Sequence, residues 1–112
     1  MGYRSRTKMG VDVVRFEGDL DALEMVKVKN RLSRLLKKNH KNLLLDLSSA
    51  KRVELAGLGI LVDRLMKVRA AKGDIKFCNM RPEVLRTLEM IGVSDLIESF
   101  GSEEEAIRSF AA

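Results

Sequence analysis

Three short apolar runs, each followed by apolar residues at helical spacing, constrain this chain more than any other feature. "VDVVRFE" (11–17), "NLLLDL" (42–47) and "DIKFC" (74–78) are rich in strand-forming or continuously apolar residues. Between and after them lie stretches with a 3.6-residue apolar period. Met25, Val28, Leu32, Leu35 and Leu36 form one such stripe, and Leu58, Leu61, Val62 and Leu65 form another. Strand followed by helix, repeated, requires crossover connections and hence a largely parallel sheet. "NLLLDL" is the expected central strand. In "VDVVRFE", Val11 and Val13 point one way and Val14 and Phe16 the other, which fits a strand covered on both faces.

The punctuation agrees. Asp21 is a good N-cap, and Glu24 three residues later makes an acidic capping box for a helix running to about Lys38. Lys37 and Lys38 complement the dipole at its end. "SSAKR" is a loop, and a second helix spans about 56–72, stopped by Gly73. Pro82 fits a first helical position, and Gly92 ends that third helix. "YRSRT" reads as a short first strand and "LIESF" as an edge strand. Ser102 with Glu105 opens a last helix that buries Ile107 and Phe110. The expected order is ββαβαβαβα, one α/β domain over residues 1–112 with a small mixed sheet and helices packed mainly on one side.

Composition narrows the function. Of 112 residues, 46% are hydrophobic, enough for a core, and 33% are charged, as on a soluble surface. No apolar run approaches the roughly 20 residues of a membrane span, no secretory signal is visible, and Arg6 breaks the myristoylation pattern. With a single cysteine, Cys78, the chain forms no disulfide within itself. A cytoplasmic protein without membrane insertion is expected. Seven Lys/Arg and no acid lie between Met25 and Leu45, whereas seven acids face only Arg86 between Glu83 and Glu105. The basic run reads as a solvated helix face. One Tyr and four Phe leave little for base stacking, so no nucleic-acid partner is expected.

Catalytic signatures are missing. His40, the only histidine, sits among lysines at a helix end and reads as a solvated terminal residue. Cys78 ends a buried strand and reads as a core residue. No Cys/His cluster suits a metal, and "AGLG" lacks the Gly-Lys-Ser/Thr of a P-loop. Neither an enzyme nor a cofactor is expected.

"VELAGLGIL" (53–61) places Gly57 and Gly59 at a helix start, each costing about 1 kcal/mol against alanine in a helix interior. Two readings stand: tight packing of the helix, or backbone access for a ligand or partner at the carboxyl end of a parallel strand. On a helical wheel Ile60 falls among Asp63, Arg64 and Lys67, and Leu23 and Val26 face away from Met25, Val28 and Leu32. These apolar residues are expected to form, with the turn, a partner-binding rim.

"EGDLDALE", "LLLDLSSAKRVELAGLGIL" and "RPEVLRTLEMIGVSDLIE", in this order over nearly the whole chain, resemble the STAS domain, of the stand-alone anti-sigma factor antagonist type. The resemblance implies a small mixed sheet with helices on one side. It also implies a turn, Asp-Ser-Ser/Thr-Gly-Leu-Gly, whose first serine is phosphorylated by a kinase-like anti-sigma factor. Gly57, Leu58 and Gly59 match Gly-Leu-Gly; Glu54 then stands at the aspartate, Leu55 at the phospho-acceptor and Ala56 at the second hydroxyl. The scaffold of a switch is kept and its acceptor is missing. The implied function is a non-enzymatic binding protein whose partner is a kinase-like anti-sigma factor or another regulatory ATPase. It contacts that partner through Leu23, Val26, Glu54, Leu55, Ala56, Gly57 and Ile60 and is not phosphorylated at position 55. The alternative is a STAS subunit of a larger complex, such as a lipid-transport ATPase assembly or a signalling scaffold; a homodimer is also open. Ser48 and Ser49 precede the turn and read as loop and capping residues.

Overall fold

The computed structural model describes residues 2–50 and 52–111; Lys51, in the loop expected at 48–52, lies outside them. The chain begins with a hairpin, β1 (Gly2–Lys8) and β2 (Val11–Glu17), turned through Met9 and Gly10, which both have positive φ (53° and 77°). That is the backbone a two-residue hairpin turn requires. Helix α1 (Ala22–Lys37), β3 (Asn42–Asp46), α2 (Leu55–Ala70), β4 (Asp74–Cys78), α3 (Pro82–Met90), a 3-10 turn (Ser94–Leu96), β5 (Ser99–Phe100) and α4 (Glu103–Ser109) follow. The sheet order is β1-β2-β3-β4-β5, antiparallel at the hairpin and parallel from β2 onward. The expected order and mixed sheet are found. The edge strand is shorter than the expected 96–100, because Ser94–Leu96 coils into the 3-10 turn.

Alternation along the strands sorts the core into two layers. Val14, Phe16, Leu43, Leu45, Ile75 and Phe77 face α1, α2 and α3. Val11, Val13, Leu44 and Cys78 face α4 through Ala106 and Ile107. The double-faced reading of β2 therefore holds. Phe110, expected inside, is only half-buried: its ring lies 4.5 Å from the Lys76 ammonium, a cation–π contact at the margin of the layer. Leu36 and Val62 also sit at the margin rather than within the core.

The Asp21 carboxylate accepts from the Glu24 N–H at 2.8 Å, as the capping box requires. Ser102 does the same for Glu105 at 3.2 Å. Helices α1, α2 and α3 close in one pattern. A residue in the left-handed region follows the last turn (Asn39, Lys72 and Gly92), and the next N–H bonds to the carbonyl five positions back, as in His40 to Leu35, Gly73 to Val68 and Val93 to Leu88. Gly73 follows the stop of α2, but the left-handed residue there is Lys72, with φ of 66°. Gly73 is needed for space, since a Cβ there would lie 2.5 Å from the Lys41 carbonyl oxygen.

Candidate functional site

The starts of α1 and α2 are stitched together at the carboxyl end of the parallel strands. Leu20 donates to the Arg52 carbonyl at 2.8 Å, and Glu54 donates to the Leu20 carbonyl at 3.0 Å. Leu20 and Val53 thus form a parallel bridge outside the sheet. Glu54 precedes α2 but makes no side-chain cap to its own helix; its carboxylate reaches across to the Ala22 N–H of α1 at 3.2 Å. The first N–H groups of α2 are left without a side-chain cap.

The glycine question separates by residue. Gly57 is buried, and a Cβ there would meet the Leu20 carbonyl oxygen at 2.9 Å and Met25 Cγ at 3.0 Å. Its bareness lets α2 lie against the start of α1, so the packing reading holds for Gly57, and it offers no side of itself to a partner. Gly59 is exposed, and a Cβ there would meet nothing within 4 Å. No contact within the described chain calls for glycine at 59.

Of the rim residues expected from sequence, Leu23 (67% exposed), Val26 (41%) and Leu55 (66%) are large apolar side chains in solvent at the starts of these two helices. Glu54 and Ala56 are exposed beside them. Ile60 is corrected: it is half-buried and packs against the main core, because α2 turns that side toward its neighbours. The outward stripe of α2 runs instead through Leu55, Gly59, Val62 and Met66, and Met66 is 51% exposed. Their i, i+4, i+7, i+11 spacing is legible in the sequence as a second apolar stripe flanking the first, roughly a third of a turn round the helix.

The residues read as non-catalytic divide. Cys78 is fully buried; burial, with the Asp46 and Glu103 carboxylates beside it, pushes its thiol up to about 12, so it is unreactive. Ser48 keeps its Oγ buried while its N–H donates to Asp46 at 2.9 Å, which suits a loop residue. His40 is corrected: it is not simply solvated, since its Nδ1 lies 2.9 Å from Oδ2 of buried Asp12. Among the described residues no three His, Cys, Asp or Glu side chains gather to hold a metal ion. No described helix is long and apolar enough to cross a membrane.

The STAS domain family model matches residues 4–106. The chain belongs to the STAS domain family. An anti-sigma F factor antagonist of Paenibacillus polymyxa is 24% identical over 99 residues, covering 88% of this chain and 85% of the relative. Among solved structures, an anti-sigma factor antagonist from Mycobacterium paratuberculosis superposes with a TM-score of 0.85 at 17% identity, covering 98% of this chain and 93% of the other. The Bacillus cell fate determinant SpoIIAA in its phosphorylated form superposes with a TM-score of 0.76 at 17% identity, covering 97% and 99%. These are regulatory STAS proteins, and the exposed turn at 54–56 lies within the matched region.

Proposed function

We propose that this STAS protein acts as an anti-sigma factor antagonist, docking a kinase-like anti-sigma factor on the rim formed by the starts of α1 and α2, without a phosphate switch at position 55. The observation that carries this reading is Leu55: a large apolar side chain, 66% exposed, as the first residue of α2. It stands where the resemblance implies a phospho-acceptor, and it has no hydroxyl. A phosphoserine would bring about −1.5 to −2 charges and three acceptor oxygens into such an interface; leucine brings only apolar area. The antagonist relative supports the class of partner. The rim supports the mode: Leu23, Val26 and Leu55 are exposed at the starts of two helices that Gly57 allows to lie close.

Calorimetry with the cognate kinase-like partner tests this. Leu23→Asp and Leu55→Asp each place an acid in the first turn of a helix, where the dipole tolerates it. At a packed interface the same charge is desolvated without a partner, at a cost of several kcal/mol. Binding should fall about 100-fold or more, while Arg34→Ala on the basic face of α1 leaves it nearly intact. With ATP present, the wild-type protein should gain no stoichiometric phosphate. Wild-type affinity in both aspartate variants, or one phosphate on most molecules, would overturn the reading.

A further inference from the structure

The free edge of the sheet carries a charge pattern that the rim does not use. Strand β1 stands first in the sheet order and pairs only with β2. Its register sets Arg4 opposite Arg15, Arg6 opposite Val13 and Lys8 opposite Val11. Val11 and Val13 face α4, so Arg4, Arg6, Lys8 and Arg15 share that face of the sheet. Helix α4 lies over β3, β4 and β5. At β1 the face is open, and all four cations are exposed. Like charges directly opposite each other, as in Arg4 and Arg15, destabilise a strand pair.

Two carboxylates answer these four cations. Glu17 pairs with Arg4 and Glu103 with Arg6, whereas Lys8 and Arg15 have no carboxylate partner among the described residues. Arg4, Arg6 and Arg15 wall, with Val13 and Glu103, an open hollow of about 300 Å³. Asp46, two strands further in, is buried and accepts from the Ser48 N–H at 2.9 Å. The other side of β1 is occupied: Ser5 Oγ accepts from Arg31 at 3.2 Å, and Thr7 donates to buried Asp12 at 2.8 Å. The outer backbone groups of β1 have no partner among the described residues. The edge therefore offers main-chain donors and acceptors, flanked by a cation at every second residue, about 7 Å apart.

Charge decides what fits there. Antiparallel pairing of β1 with β1 of a second copy, faces aligned, sets Arg6 against Arg6 and Arg4 against Lys8, so the edge turns its own kind away. A nucleic acid matches the charge but has no amide edge to pair. An extended polypeptide with acids at alternate positions matches both, since opposite charges directly across a strand pair are stabilising.

We propose that the edge of β1 takes up an extended acidic segment of another protein as a sixth strand of the five-stranded sheet. Its Asp or Glu side chains, at alternate positions, stand against Arg4, Arg6 and Lys8, and Arg15 adds its charge from the hollow. None of the rim residues takes part, so this docking stands or falls separately from the antagonist reading.

The probe is a peptide as long as β1, seven residues, alternating threonine with glutamate. It is titrated into the ¹⁵N-labelled full chain at neutral pH and fixed ionic strength. Amide shifts should centre on residues 4–8 and spare 23, 26 and 55. The isomer with its glutamates consecutive should bind about tenfold more weakly. The alternating peptide should lose about as much against Arg4→Gln with Lys8→Gln, the loss expected for two exposed ion pairs. Both positions are on the surface, so that variant keeps its dispersed spectrum. Only alternate amides of a strand face its neighbour. N-methylation of the peptide at one alternate set should therefore abolish binding, and at the other set leave it nearly unchanged. The absence of shifts at 4–8, equal effects of the two methylated sets, or tighter binding of a single-stranded oligonucleotide of the same charge would each overturn the proposal. Shifts at 4–8 on raising the protein concentration alone would place a second copy at the edge and overturn it as well.

Discussion

Gly59→Ala should stabilise the domain, and Gly57→Ala should destabilise it, although the two glycines are separated by a single leucine. At position 59 a Cβ meets nothing within 4 Å, so the substitution keeps only the helix-propensity gain, about 1 kcal/mol. For a domain near 100 residues that raises Tm by about 4 °C or somewhat more. At position 57 the same gain is opposed by a Cβ 2.9 Å from the Leu20 carbonyl oxygen. That oxygen is backbone, already accepting from the Glu54 N–H, and gives way only if the stitch between the helix starts shifts. Overpacking of this kind costs about 1–3 kcal/mol, so a net loss of about 1 kcal/mol is expected. Urea titration of both variants, read by far-UV circular dichroism at constant m, measures the difference directly. A destabilised Gly59→Ala, or a stabilised Gly57→Ala, would refute the division of the pair into one packing glycine and one free one. The proposed docking adds a second expectation: the stabilised Gly59→Ala binds its partner less well, because its new methyl group stands on the outward stripe. That is the trade expected where a stabilising change touches a working surface.

Leu55→Ser should change stability by only about 0.5 kcal/mol, because the side chain is 66% exposed; a loss of several kcal/mol in denaturant titration would mean that Leu55 is core. The buried Cys78 thiol, with its pKa pushed up to about 12, should resist a disulfide reagent at neutral pH in the folded protein and react fully in urea, and fast labelling of the native chain would contradict this placement. Glu103→Gln should become progressively more stable than wild type as pH rises. The hydrogen bond to Asp46, then burial, raise the Glu103 carboxyl against the pull of Arg6. The folded state therefore favours the protonated form, and wild type loses stability as pH rises through the raised value, which the glutamine variant does not. Urea midpoints at about pH 4 and about pH 8, on either side of the carboxylate range, give the sign; a gap that narrows with pH would reverse the assignment.

The fold was legible because each element carries its own signal. Asp21 and Ser102 make the caps they read as, and the unbroken apolar run at 43–45 is the fully buried middle of the sheet. What sequence did not disclose arises from contacts between distant segments. Gly73 reads as a helix stop, but its bareness serves Lys41, thirty-two positions earlier. His40 reads as solvated because Asp12, its partner, lies two elements away. Ile60 was placed outward from the charges at 63, 64 and 67. Arg64 is no marker of a solvent face, since its side chain is only 15% exposed and donates to Ser33 of α1 at 2.8 Å, and Ile60 rests on the core. The outward stripe of α2 was present as a pattern, yet one apolar periodicity hid the other.

The order of strands in the sheet equals their order in the chain, and this bears on how the protein is made. Every strand after the first is laid beside the one before it, so none has to be inserted between two others made earlier. A chain emerging from the ribosome can close its hairpin, then add β3 with α1 over the seam, then β4 with α2, each unit docking on an edge already formed. The edge that waits is always the newest one, exposed only for the time needed to synthesise one helix and one strand. The first edge, β1, carries Arg4, Arg6 and Lys8 on alternate positions, and charges so placed discourage a neighbouring chain from pairing there. Growth proceeds from a guarded side toward an open one, which the two-residue β5 finally covers, while α4 closes the second face of the sheet.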